Sequence, residues 1–473
     1  MSSDYKKMYV SLAGAGHVGS SVIRILRENS DSISVNCGRQ IDICSIAVRD
    51  LDAAKKRLPS EYSSLITDSS IKSAQHEKAD VFIELMGGDI NQCKLSIDAA
   101  LSCGKSVVTA NKALLSEFGD EIFDLAYKCN KDVLFEAAIC GCIPIVKTLR
   151  ESLAGDSVIE VVGIMNGTCN YIMTKMSEKS MSFSDALSEA QKHGYSESDP
   201  SLDIDGIDVA HKISLIARLA FGDDIKIKDF LVRGIRDFDL SVFDYANKFG
   251  FTIKLLSRVK LIDNAISISV EPTLIPINHP LASVSGTMNA VSILSKYSGE
   301  TMYYGAGAGG DATAVSVVSD LMDIARQKTA PRFNIASNKH ELVSCDNFSS
   351  SFFLKFKVCD KPSVLHDITC AFADDDISIK AIIHNKSPDG TDYDIVILLH
   401  ENKRSKVFSA LDKINKKVSV LSDTIILPIK NFSDWKTMGG YLWLDESTPI
   451  DLFLGDFILD SNLFKNFSFS FVK

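Results

Sequence analysis

Five carboxylates and one lysine lie between His193 and Lys212: Glu197, Asp199, Asp203, Asp205 and Asp208, then Lys212 itself. Asp208 and Lys212 are four apart, so on a helix they share one face. The stretch that holds them, GIDVAHKISLIARLAFG, has helical spacing and ends at Gly222. Most of its other residues are apolar, so this helix is expected to pack deeply. An exposed ion pair would be worth little. A buried Lys–Asp pair is a polar investment that packing alone seldom requires. Chemically, such an ammonium can stabilise a growing oxyanion and deliver a proton to it. Asp205, just ahead of the helix, is expected to cap it. His211 reads as packed or solvated rather than as a ligand.

A second chemical signal lies near the N-terminus. Gly14, Gly16 and Gly19, with Ala15, His17 and Val18 between them, have G-x-G-x-x-G spacing directly after an apolar strand. The first glycine permits a tight turn, the second lets a pyrophosphate approach the backbone, and the third brings helix and strand together. The helix N-terminus then favours the anion. At the end of the second strand stands Arg49, followed by Asp50, Lys55, Lys56 and Arg57. An arginine there suits a 2′-phosphate, so NADP(H) is expected as the preferred cofactor. Asp50 is a hydroxyl acceptor through which NAD(H) would be used instead.

These residues need a scaffold, and the chain is long enough at 473 residues for several domains. The fold class is α/β. Residues 1–150 alternate apolar runs (MYVSLAG, IDICSIAV, ADVFIELM, KSVVTA, DVLFEAAI) with helical patterns, which implies a Rossmann-type parallel sheet. Residues 151–310 mix strands (VIEVVGIMN, TIKLLSRVKLI, AISISVEPTLI, SILSKYSGETMYYG) with helices, as in an α+β domain with a mostly antiparallel sheet. The helix in about 311–330 is expected to return to the first domain. After a polar linker, residues 350–430 read as βαββαβ, the order of a ferredoxin-like fold. The tail, 431–473, carries both tryptophans and suggests no function.

Bulk properties exclude several classes. A net charge of −10 argues against nucleic acid and anionic membranes as partners. No apolar run is long enough for a membrane span. The N-terminus lacks a signal-peptide pattern, and the 11 scattered cysteines lack zinc spacing, so a reducing cytoplasm is expected.

The run Ala190-x-x-x-Gly194-Tyr195-Ser196-x-x-Asp199-Pro200-x-x-Asp203-Ile204-x-Gly206-x-Asp208-x-x-x-Lys212 resembles the signature of homoserine dehydrogenases. TANK (Thr109–Lys112), FEAAICGCIP (Phe135–Pro144), GIMNGTCNYI (Gly163–Ile172) and GAGAGGDATA (Gly305–Ala314) extend the likeness in the family's order over about residues 8–330. The resemblance implies NAD(P)H-dependent, reversible reduction of L-aspartate 4-semialdehyde to L-homoserine in threonine, methionine and isoleucine biosynthesis. It implies residues 151–310 as the substrate and dimerisation domain and a lysine proton donor, either Lys212 oriented by Asp208 or Lys112; Lys212 is taken as donor, with Lys112 an essential partner. Glu197, Asp203 and the segment Asn166, Gly167 and Thr168 would hold the substrate, while Thr109, Lys112 and Gly309 would join the cofactor contacts. Glu136 with the carbonyls of Ile139, Gly141 and Ile143 would form a monovalent-cation site, usually sodium, although Cys140 and Cys142 stand where small Ala or Gly is usual. Packing is the expected role of both cysteines.

The segment DKPSVLHDITCAFADDDISI resembles an ACT regulatory module, which implies L-threonine as effector and a homodimer or homotetramer. Ser363 replaces the family's glycine there and narrows ligand approach, so a role in assembly alone is the alternative. Two other functions fit parts of the pattern. Another NADP-dependent amino-acid semialdehyde reductase would keep the cradle but need not keep the Glu197–Lys212 pattern. A non-catalytic amino-acid sensor would be expected to lack the lysines.

Overall fold

The computed structural model describes residues 5–327, 340–359, 361–387, 392–417 and 420–432. Residues 433–473 of the expected tail and 328–339 of the polar linker lie outside them.

Six parallel strands build the first sheet: β1 (Lys7–Ala13), β2 (Gln40–Ala47), β3 (Ile66–Thr67), β4 (Val81–Glu84), β5 (Ser106–Thr109) and β6 (Val133–Leu134). Their order is β3-β2-β1-β4-β5-β6. The direction of winding reverses between β1 and β4, which opens a crevice at the carboxyl ends of those strands. Val10, Leu12, Val81 and Ile83 are buried, as expected of strands covered on both faces. Around the sheet run α1 (His17–Glu28), α2 (Ser30–Cys37), α3 (Leu51–Arg57), α4 (Ser70–Ala74), α5 (Ile90–Ser102) and α6 (Lys112–Lys128). The run DVLFEAAI pairs over only two residues. Glu136 N–H donates to Asp320 instead of continuing the ladder, and the chain turns into a 3₁₀ segment.

The short α7 (Ile145–Lys147) leads to the second sheet, which begins with β7 (Val158–Ile164). Next come α8 (Gly167–Lys179), α9 (Phe183–Lys192), α10 (Ser201–Ile204), α11 (Ile207–Phe221), β8 (Leu231–Val232) and α12 (Ser241–Lys248). A long hairpin, β9 (Phe251–Ile262) with β10 (Ala265–Pro276), forms the middle of the sheet. The run SILSKYSGETMYYG splits at Lys296–Ser298 into a second hairpin, β11 (Met288–Ser295) with β12 (Gly299–Ala306). Val209, Ile213 and Ile216 of α11 share one core with Val259, Ile268 and Val270 of the β9–β10 hairpin. The following helix, α13 (Gly310–Ala325), packs Ala314, Val317 and Leu321 into the core of β1 and α1.

The last described part holds β13 (Glu341–Leu342), β14 (Ser349–Val358), α14 (Pro362–Asp374), β15 (Ile379–Lys386), β16 (Tyr393–Lys403), α15 (Arg404–Lys417) and β17 (Ile425–Ile429). From β14 to β17 the order is βαββαβ, with strands arranged β17-β14-β16-β15, a ferredoxin-like arrangement. This part shares its sheet with the preceding one. Leu274 of β10 pairs with Ile429 of β17, so β12-β11-β7-β9-β10-β17-β14-β16-β15 is continuous.

Candidate active site

α11 brings the acid–lysine pair together. Gly206 precedes the helix at φ +83°, a conformation a side chain would strain, and lies against Val270 and Val232. Asp208 stands in the first turn, where the helix dipole favours an anion. One turn later Lys212, only 8% exposed, donates from Nζ to Asp208 Oδ2 at 2.8 Å and to the Met165 carbonyl at 2.7 Å. An ammonium has three donors, so one remains uncommitted among the described residues. Lys112, first residue of α6, reaches the other oxygen of Asp208 at 3.1 Å. Burial works against ionising Asp208, but Lys212 and Lys112 hold its carboxyl well below the usual range. Burial likewise works against the Lys212 ammonium, and Asp208 outweighs it, so the net shift is upward. Lys212 therefore stays charged at neutral pH.

Asn166 extends this centre. Its Oδ1 caps α8 by accepting Cys169 N–H at 2.8 Å. Its Nδ2 donates to Asp203 at 2.7 Å and to Asp208 at 2.9 Å. The Thr168 hydroxyl lies 2.9 Å from Asp203 and 2.7 Å from the Tyr195 carbonyl. Burial and the nearby Asp208 charge push the Asp203 carboxyl up. Asn166, Gly167, Thr168, Asp203, Asp208, Lys112 and Lys212 thus converge. Glu197 does not join them: it is exposed in the loop after α9, with no side-chain hydrogen bond among the described residues. Asp205 is not the helix cap. It pairs with Arg236 at 2.7 Å, a partner 31 residues away that no local pattern announces, and Gly206 takes the cap position. His211 is half-buried, and burial plus the Lys112 charge lower its pKa.

The glycine cradle lies at the crevice. Gly14 has φ +97°, and a Cβ there would meet the Leu85 carbonyl oxygen at 2.3 Å. A Cβ on Gly19 would meet the Gly14 carbonyl oxygen at 2.0 Å, while nothing lies within 4 Å of one on Gly16. The open side at Gly16 is where a phosphate would enter. No side chain caps α1, so its first N–H groups face that opening, with His17 and Val18 in the first turn. Gly309 precedes α13 at φ +128°, and the next residue, Gly310, abuts the His17 carbonyl. A cleft of about 720 Å³ runs outward from Gly14, Ala15 and Gly16 to Arg49 and Asp50. Asp50 is occupied in capping α3 through Ala53 N–H at 2.9 Å. Arg49 is exposed at the cleft and has no ion pair or hydrogen bond among the described residues. Arg57 folds back onto the Ala15 carbonyl. The donor set fits a dinucleotide.

Two buried acids flank the site. Glu136 accepts the N–H groups of Val146 at 2.9 Å and Lys147 at 2.8 Å, one on each oxygen. The Gly141 carbonyl accepts the Ser316 hydroxyl at 2.7 Å, and Ile139 and Ile143 are buried beside it. Burial pushes the Cys140 thiol up to about 11, which makes it an inert packing group, whereas Cys142 is exposed and does not have the packing role expected of it. The other acid, Glu84, and the Met165 carbonyl were not singled out from sequence. Thr109 lies beneath the cleft, fully buried, with its hydroxyl on Glu84 at 2.6 Å.

Known proteins share this chain's pattern. A family model described as "Homoserine dehydrogenase, NAD binding domain" matches residues 14–136, and one described as "Homoserine dehydrogenase" matches 144–322. A homoserine dehydrogenase of Neisseria gonorrhoeae is 39% identical over 431 residues, covering 88% of this chain and 98% of that protein. One of Helicobacter pylori is 35% identical over 430 residues, covering 90% and 100%. The crystal structure of a homoserine dehydrogenase from Thiobacillus denitrificans aligns with a TM-score of 0.83 at 35% identity, covering 90% of this chain and 99% of that one. A hyperthermophilic archaeal homoserine dehydrogenase in complex with NADPH aligns with a TM-score of 0.59 at 27% identity, covering 69% and 100%.

Proposed function

Because the chain belongs to the homoserine dehydrogenase family, we propose how its residues divide the family's reaction. The enzyme interconverts L-aspartate 4-semialdehyde and L-homoserine with a nicotinamide dinucleotide. The bound, reduced dinucleotide supplies a hydride to the aldehyde carbon. Lys212 takes the proton-donor role: its uncommitted N–H faces the carbonyl oxygen, stabilises the charge that grows there, and passes a proton to it. In the reverse direction the neutral amine takes the proton back. Asp208 orients the ammonium and stabilises its charge, and the proton that Lys212 gives up is replaced from solvent. Lys112 supplies a second positive charge from the cofactor side. Asn166, Gly167, Thr168 and Asp203 hold the substrate's polar groups. Glu197, exposed in the loop after α9, is proposed to help hold the same groups. The observation that carries this reading is the buried Lys212 ammonium, fixed by Asp208 and Met165 with one donor to spare. The test is oxidation of NADPH by the purified protein on adding aspartate semialdehyde, against a panel of other amino-acid semialdehydes. A different semialdehyde reductase and a non-catalytic sensor are not favoured, since the lysines and the acidic run are all present.

We assign NADP(H) as the preferred cofactor on Arg49, which has no partner among the described residues, with Gly14, Ala15, Gly16, His17, Val18, Gly19, Thr109, Lys112 and Gly309 completing its seat. The NADPH held by the archaeal relative is consistent with this. The ratio of kcat/KM for NADPH and NADH tests it. For a monovalent cation the candidate ligands are Glu136 and the carbonyls of Ile139, Gly141 and Ile143. Glu136 and Gly141 already accept hydrogen bonds but keep further lone pairs. No step here depends on the cation, and replacing sodium with choline in the assay tests its need. The ferredoxin-like part is proposed as an ACT-type module that takes L-threonine and supports a homodimer or homotetramer. Exposed Ser363 stands at its first helix, and a threonine titration decides. We place the reaction in the cytoplasm, on the route to threonine, methionine and isoleucine.

A further inference from the structure

Glu84 ends β4 at full burial and forms no ion pair among the described residues. A strand covered on both faces has no packing need for an acid, and a buried carboxylate without a cation is costly. Neutral donors surround it instead. Met86 N–H donates to one oxygen at 2.8 Å and the Thr109 hydroxyl to the other at 2.6 Å. The Cys93 thiol and the Asn111 amide lie near enough to favour its charged form as well. Burial raises its pKa against these four donors.

The donors come from different parts of the site. Met86 and Cys93 line the dinucleotide cleft. Thr109 and Asn111 form the turn that leads into α6. Thr109 Oγ1 accepts Asn111 N–H at 3.0 Å, and Asn111 Oδ1 caps α6 through Leu114 N–H at 3.1 Å. Lys112 is the first residue of that helix, with Nζ at 3.1 Å from Asp208.

We infer that Glu84 is a positioning residue that sets Lys112. One oxygen holds the cleft loop through Met86, and the other holds the Thr109–Asn111 turn, so the dinucleotide seat and the second ammonium keep one register. Glu84 touches neither substrate nor cofactor and acts through Lys112. The inference therefore rests on the role proposed for Lys112.

Glu84→Gln keeps the volume but turns an N–H₂ group toward groups that need an acceptor. We expect kcat to fall about tenfold to a hundredfold, the scale of a displaced catalytic group, while KM for the semialdehyde stays within about threefold. In a Lys112→Ala background the same change should add no further loss, because its target is gone. A general destabilisation would instead lower both backgrounds alike. A Lys112→Ala enzyme with wild-type kcat would sink the role given to Lys112. A crippled Lys112→Ala enzyme that Glu84→Gln impairs as much as it impairs the wild type would overturn the positioning role alone. So would a Glu84→Gln enzyme with wild-type kcat. If Glu84→Gln fails to fold, Thr109→Val, which removes the hydroxyl that joins Glu84 to the Asn111 N–H, is measured in both backgrounds with the same expectations.

Discussion

Asp208→Asn removes one charge while keeping shape, and its consequences can be worked from the distances. At 2.8 Å and an effective dielectric near 20, the gross attraction between Asp208 and Lys212 is about 6 kcal/mol. Lys112 is a third exposed, so solvent screens its share and it adds less. Much of the gross attraction is offset by desolvation, and loss of one partner from a buried pair typically costs about 3–5 kcal/mol. The asparagine keeps an acceptor oxygen but no charge, so the buried ammonium retains the Met165 carbonyl and loses its paired carboxylate. Burial then dominates, and the pKa of Lys212 falls. The assay is the pH profile of kcat for semialdehyde reduction. We expect kcat at neutral pH to drop about 10²–10⁴-fold, the usual worth of a positioned acid. We also expect the alkaline limb to move to lower pH, because the amine loses its proton earlier. An Asp208→Asn enzyme with wild-type kcat and an unmoved alkaline limb would refute the reasoning.

Two other perturbations test separate parts of the molecule. Arg49→Ala should lower the NADPH-to-NADH ratio of kcat/KM about 10–100-fold, the loss of one or two charge-assisted hydrogen bonds, with NADH kinetics little changed; an unaltered ratio would count against a 2′-phosphate contact. Glu160, buried on β7, is paired with Arg258 and, at 2.7 Å, with Lys430. Burial opposes its ionisation, but the two cations hold its pKa at about 2, down from 4.5. A folded value below the unfolded one adds stability above pH 4.5 that fades as pH falls toward 2. The contribution is about 3 kcal/mol. The urea midpoint gap between wild type and Glu160→Gln should be widest at neutral pH and close on acidification; a pH-independent gap would contradict the pairing.

What could be read from the sequence followed from short-range periodicity. Asp208 and Lys212 are four apart, and helical geometry alone puts them on one face. Gly14, Gly16 and Gly19 follow a strand, and the sterics at Gly14 and Gly19 need no long-range knowledge. Partners far along the chain were hidden. Asp205 resembled a cap because its salt bridge to Arg236 is non-local. The reading of VFIELM as a buried strand passed over Glu84, because its partners Thr109 and Asn111 lie a helix and a strand away. The available clue was an acid at the carboxyl end of an otherwise apolar parallel strand, where such sheets bind ligands. The joining of the ferredoxin-like part to β10 rests on the pairing of Leu274 with Ile429, which composition does not reveal. Glu197 shows the converse limit. Its spacing from Lys212 places it in the run but does not say which way its loop folds.

The most direct measurement is the single-turnover rate of NADPH oxidation by aspartate semialdehyde, with both at saturation, in wild-type and Lys212→Ala enzymes. We expect the variant to bind NADPH normally and to be slower by about 10²–10⁴-fold, as loss of the proton donor requires. A variant that turns over within about fivefold of wild type, well inside what a general acid contributes, would contradict the assignment of Lys212.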